Sequence, residues 1–99
     1  MKLEIITPDK EIFTGEASLV QFPGIDGLFE VLENHAPLIA ALKTGKIKME
    51  SQGQTQYFDI NGGIVEVLQN MVLVLAEYSE FLIRKKALRR APFFMIGYS

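Results

Sequence analysis

Short apolar runs, several alternating with polar positions, recur along most of the chain and are punctuated by glycine, proline, asparagine and aspartate. Residues 3–7 predict a first strand, and Pro8-Asp9-Lys10 a type I turn with proline and aspartate where that turn takes them. Residues 11–22 predict one long strand, with Gly15 a bulge or a point of close backbone approach, ended by Pro23-Gly24. Asp26-Gly27 is a tight reversal, because glycine takes positive φ at no steric cost. Residues 28–32 predict a short strand before the corner His35-Ala36-Pro37. That corner is rigid, since Pro37 fixes its own φ and pushes Ala36 toward extended geometry.

Residues 38–42 fit a strand or a buried helix by periodicity alone. Pro37 before them and a Lys43-Thr44-Gly45 turn after them leave room for the strand. Residues 46–50 alternate, with Ile47 and Met49 on one face and charges on the other. Gln52-Gly53-Gln54 predicts a hairpin turn, and residues 56–60 a strand with Phe58 and Ile60 on one side. Asn61-Gly62-Gly63 predicts a further turn, and residues 64–68 and 71–76 two strands joined by Gln69-Asn70. Ile64-Val65 and the run from Met71 to Leu75 are apolar on both faces, where a solvated sheet alternates. A second sheet, the C-terminal tail or a partner has to cover the outer side. Turn signals about every 8–12 residues between such runs are the pattern of a sandwich or barrel, so residues 1–77 read as one small all-β domain.

The tail, residues 78–99, breaks the pattern. Ser79 is an N-cap, Glu80 a first-turn acid, and the bases fall toward the C-terminal end, which together predict a helix of about three turns. Ile83, Ala87, Leu88 and Ala91 gather on one side, with Arg84 inside their arc. Lys85, Lys86, Arg89 and Arg90 take the other, and Pro92 stops the helix before an apolar end from Phe93 to Ser99.

Charge sharpens this division. The net charge of −2 splits into −7 over residues 1–80, which hold all twelve acids, and +5 over residues 81–99. The acidic body offers no basic face with interleaved aromatics, which argues against nucleic acid. A 99-residue chain with no cysteine and one histidine can build neither a disulfide nor a thiolate or histidine-rich metal centre. Its start is neither a signal peptide nor a membrane span. No cofactor is expected.

Candidate chemistry is sparse. His35 could serve as a general base with Asp26 or Glu33, in a small hydrolase, but no nucleophile is placed for it. As a corner histidine bonded to backbone it needs none. Asp26 is equally a turn residue satisfying local N–H groups.

In order along residues 2–77 stand Leu3-Glu4-Ile5-Ile6-Thr7-Pro8, Phe13-Thr14-Gly15-Glu16, Asp26-Gly27, His35-Ala36-Pro37-Leu38 and Leu42-Lys43-Thr44-Gly45-Lys46-Ile47. Gly62-Gly63-Ile64-Val65-Glu66-Val67 and Val72-Leu73-Val74-Leu75-Ala76 complete the set. This set resembles the N-terminal domain of the epsilon subunit of the rotary, proton-translocating ATP synthase. The resemblance implies a flattened β-sandwich of about ten short strands, followed here by a short C-terminal helix in place of the family's two-helix hairpin. It implies a non-catalytic central-stalk subunit that binds the gamma subunit and the c-ring and couples proton translocation to ATP synthesis. It places the chain peripherally, on the cytoplasmic face of a bacterial plasma membrane.

By the same resemblance Asp26, Gly27, Leu28 and His35 match the ring-facing end, although Leu28 departs from the acid some members carry there. Thr7 and Ala40 fall where members approach gamma or the ring, and the basic tail could touch the alpha and beta subunits. The alternative is a stand-alone β-sandwich binding or scaffold module, which an apolar pocket inside the sandwich would favour.

Overall fold

The computed structural model describes residues 1–77, all of them strand, turn or connection. The helix expected after Ser79, and with it the division at residue 77, lies outside the described residues. Seven strands form: β1 (Lys2–Ile6), β2 (Glu11–Glu16), β3 (Leu19–Gly24), β4 (Gly27–Leu32), β5 (Leu38–Ser51), β6 (Gln54–Leu68) and β7 (Met71–Ala76). Hydrogen bonds join them in the order β2-β1-β7-β6-β5-β3-β4. β1 runs parallel to β7 and every other neighbouring pair is antiparallel.

The sheet folds over on itself. β5 and β6 pass through the fold: the outer half of β6 pairs with β7, and β7 with β1, while the hairpin half of β5 pairs with β3. Phe13 of β2 and Phe58 of β6 bring their rings to 5.3 Å although two strands lie between them in the hydrogen-bonded order. Leu3 and Ile5 of β1, Val72 and Val74 of β7, Ile47 and Met49 of β5 and Phe22 of β3 then share one core. The two layers are called here the β1–β7 layer and the β3–β4 layer.

Two expected turns are absent. Lys43-Thr44-Gly45 and Asn61-Gly62-Gly63 lie inside continuous strands, in step from Leu38↔Val67 to Ser51↔Gln54. The glycines bend the pair without ending it: Gly62 and Gly63 take φ of 125° and 149°, and a Cβ on Gly45 would strike Pro23. Two long strands therefore replace four short ones, and the described residues hold seven strands where about ten were expected. One expected strand also divides. Residues 11–22 break at Ala17-Ser18, where Ala17 N–H donates to Met1 O at 2.9 Å and Ser18 N–H to Glu50 O at 2.8 Å, carrying the chain from one layer to the other. Gly15 stays in regular register with Leu3, but the close approach is real, since a Cβ there would press on the Phe13 ring.

Other turns form where they were expected. Gln52 and Gly53 close β5 to β6, and Gln69 and Asn70 close β6 to β7, all four with positive φ.

Candidate interaction surface

Asp26, Gly27 and Leu28 occupy the tip of the β3–β4 hairpin. Gly27 takes φ of 129° with open space around it, and Leu28 is 67% exposed. Ile25 N–H donates to Ala41 O at 3.0 Å, which ties the tip to β5. Ala40 lies on β5 beside it, and Asp26, Gly27, Ile39 and Ala40 line one open groove. Four of the expected contact residues thus share one end of the molecule.

His35 does not join them. It follows β4, whose six residues span roughly 20 Å. Its backbone N–H donates to Leu32 O at 3.1 Å, and Nδ1 lies 2.7 Å from Ala36 O. A carbonyl can only accept, so Nδ1 carries the proton and the imidazole is committed to its own corner. Asp26 lies beyond the far end of β4, and Glu33 is engaged elsewhere. The pairing a hydrolase would need is not assembled.

Glu33 takes the Met1 α-ammonium at 2.5 Å and the Asn70 amide at 3.0 Å, while Asn70 Oδ1 accepts from Asn34 N–H at 2.8 Å. The same ammonium donates to Ala17 O at 3.1 Å and lies 3.4 Å from Glu16. One charge cluster therefore fastens the first residue to three separate connections. The hydrogen bond from the ammonium holds the Glu33 carboxyl below its ordinary value, with Asn70 adding to the effect. Glu33 in turn raises the amine, against the opposing effect of desolvation. Thr7 caps the β1–β2 turn: its Oγ1 accepts from Lys10 N–H at 3.2 Å and donates to Lys10 O at 3.1 Å. Its hydroxyl is spent on the turn.

The largest surface signal is a difference between the two outer faces. On the β3–β4 layer, Lys46, Lys48, Glu50, Tyr57 and Asp59 point outward, and Lys46 Nζ bonds Asp59 Oδ1 at 2.7 Å across the strands. That is an ordinary solvated face. On the β1–β7 layer, register lines up Ile6, Leu75, Ile64 and Ala41 in one row across four strands. Ile25 extends the row at one end, and Met71 and Leu68 form a parallel row four residues along, which Lys2 of β1 continues. Between them run Glu4, Leu73, Glu66 and Ile39, the last 73% exposed. A largely apolar face broken by Lys2, Glu4 and Glu66 is what an interface looks like before its partner arrives. The doubled apolar runs at residues 64–65 and 71–75 signal this face in the sequence. The contributions of Ile6, Ala41 and Ile25 depend on register and have no local signal.

Among the described residues no group of three metal-ligating side chains comes together. No helix there is long and apolar enough to cross a membrane.

Comparison with known proteins gives a consistent result. The beta-sandwich domain of the ATP synthase delta/epsilon chain matches residues 1–81. The ATP synthase epsilon chain of Chlorobium limicola is 46% identical over 77 residues, covering 77% of this chain and 88% of its own. That of Caulobacter vibrioides is 38% identical over 79 residues, covering 80% and 92%. Among solved structures, a chain of the Euglena gracilis mitochondrial ATP synthase OSCP/F1/c-ring assembly superposes with a TM-score of 0.73 at 19% identity, over 92% of this chain and 66% of that one. A chain of the Tetrahymena thermophila central stalk and c-ring superposes with a TM-score of 0.67 at 16% identity, over 99% and 76%. At those identities the structural likeness is one of fold.

Proposed function

The chain belongs to the ATP synthase delta/epsilon beta-sandwich family, and from that premise we propose that it is a non-catalytic central-stalk subunit of a rotary ATP synthase. It binds the gamma subunit and the c-ring and helps couple proton translocation to ATP synthesis. It works peripherally, at the cytoplasmic face of a bacterial plasma membrane. The observation that carries this reading is the row Ile6, Leu75, Ile64 and Ala41 on an otherwise complete sandwich. A rotor element transmits force through surfaces it holds against its neighbours, and apolar burial supplies a non-directional attraction proportional to the area covered.

The gamma subunit covers this row, and the hairpin tip of Asp26, Gly27 and Leu28, with Ala40 behind it, faces the ring. The solved relatives sit in central-stalk and c-ring assemblies, which supports the arrangement. Thr7 and His35 enter as supports of their own turns. The basic tail, proposed from its sequence to reach the alpha and beta subunits, lies outside the described residues.

The test is capture of a gamma and c-ring assembly by the tagged full chain. Wild type retains the assembly. The double variant Ile64→Arg with Leu75→Arg keeps its circular dichroism spectrum and loses it, while Lys46→Glu on the opposite face retains it. Capture by both variants alike, or none by wild type, refutes the assignment.

A further inference from the structure

The sheet has two edge strands, β2 and β4, finished in different ways. β2 shows exposed Glu11 and Glu16, and its register with β1 slips between Ile5 and Ile6. Charge and irregularity of this kind discourage another strand from adding. β4 carries one exposed acid, Glu30, but no lysine, no proline and no slip of register. It pairs with β3 in step from Gly24↔Gly27 to Leu19↔Leu32. Its outward side chains are Leu28, Glu30 and Leu32, all exposed, the last at 51%. Beyond it no further strand of the described residues is hydrogen-bonded.

We propose that the β4 edge accepts an extended segment of a partner protein as an additional strand, one carrying lysine or arginine between two apolar residues at alternate positions. Side chains two apart share a face of a strand, so an added strand sets three such residues opposite Leu28, Glu30 and Leu32. Main-chain hydrogen bonds supply the attraction and the three side chains the selectivity, as in other cases of strand addition.

Glu30 decides the occupant. Its carboxylate is exposed and accepts from Gln21 Nε2 at 3.3 Å, and among the described residues no cation pairs with it. A second copy of the chain is the wrong guest. The antiparallel register that sets Leu28 against Leu32 of the copy also sets Glu30 against Glu30, and like charges directly opposed are destabilising. A base at that position turns the same geometry favourable. The edge shares Leu28 with the proposed ring-facing tip but not the apolar row of the other layer, so the peptide titration of the chain by itself and the capture of a gamma and c-ring assembly can fail separately.

The experiment titrates the isotopically labelled full chain with the peptide Thr-Leu-Thr-Lys-Thr-Leu-Thr and follows amide hydrogen exchange. Two further peptides are methylated on alternate backbone nitrogens, in opposite phase. Slowed exchange confined to β4, blocked by one methylation phase and kept by the other, supports strand addition. Glu30→Lys weakens binding of the lysine peptide about fivefold and favours its glutamate counterpart, with Glu30→Gln intermediate. Absence of protection on β4, equal binding of both methylated peptides, or self-association of the chain through β4 without peptide overturns the proposal.

Discussion

Gly63 faces Ala76 across β6 and β7 with φ of 149°, and a Cβ there would run into the carbonyl oxygen of Leu75. Gly63→Ala therefore meets both backbone strain and a rigid neighbour, and urea unfolding should show a loss of roughly 2 kcal/mol or more. Gly53→Ala meets strain alone, since nothing lies within 4 Å of its Cβ position, and should cost about 1 kcal/mol. The first glycine reads as half of a turn in the sequence, and what makes it indispensable is a strand thirteen positions away. Glu33 is a second case of a role without a local sign. Its carboxyl is depressed in the folded state, so its contribution is complete above its ordinary value of 4.5 and is lost as pH falls through the folded value. The Met1 amine is raised, so its contribution is complete below 8.0 and is lost as pH rises through the folded value. The stability gap between wild type and Glu33→Gln should be widest and flat from about pH 5 to pH 8, and should shrink on either side. Urea midpoints at pH 3, 6.5 and 10 would show it; a gap that does not vary would refute the pairing.

At the scale of elements, the strands with one wet face were legible because alternation records burial: Ile47 and Met49 are buried while Lys46 and Lys48 are not. The hairpin turns at Gln52-Gly53 and Gln69-Asn70 were legible through Gly53 and Asn70, residue types that accept positive φ, while Gln52 and Gln69 take it with no sign in the sequence. The limits of β5 and β6 were not. A glycine pair inside an apolar pattern marks a turn or a bend, and only the strand opposite settles which. Here Leu42 pairs with Gly63 and Thr44 with Asn61, so the two bendable stretches lie across from each other and the strands continue together. Packing at this scale is tested on Phe22, wholly buried in β3 with its ring 5.4 Å from Phe29. Phe22→Ala should cost about 4 kcal/mol, a large share of a small domain's stability. Tyr57→Ala, on the solvated face of β6, should move it by less than about 0.5 kcal/mol. Equal costs would mean that the two layers do not enclose the core described.

The described residues form a sandwich with one finished face and one that they leave unfinished. The finished face matches Lys46 with Asp59 across its strands and Lys48 with Glu50 along one, and the unfinished one repeats apolar residues where a solvated sheet would place polar ones. The expected contact residues divide accordingly. Asp26, Gly27, Leu28 and Ala40 gather at one end because a two-residue reversal and a backbone bond to Ala41 hold them there. His35 was legible as a corner residue and is one, whereas Thr7 read as the end of the first strand and instead caps the β1–β2 turn. The form of attraction follows from the composition of the unfinished face. Covering Ile64, Leu75, Met71, Leu68 and Ile39 removes apolar surface from water, which makes the heat-capacity change on binding negative. Lys2, Glu4 and Glu66 sit within that face, three charges of mixed sign among many apolar atoms. Calorimetry of the full chain with gamma at several temperatures should therefore give a binding enthalpy that falls steadily on warming. Affinity should change by less than about threefold when salt rises from 0.05 to 0.3 M, since screening weakens charge pairs and leaves burial intact. Ile64→Arg with Leu75→Arg abolishes both signals, because the row that carries the burial is gone. A steep salt dependence with no heat-capacity change would instead assign the attachment to charge, and would move it from the four-strand row to the acidic residues around it.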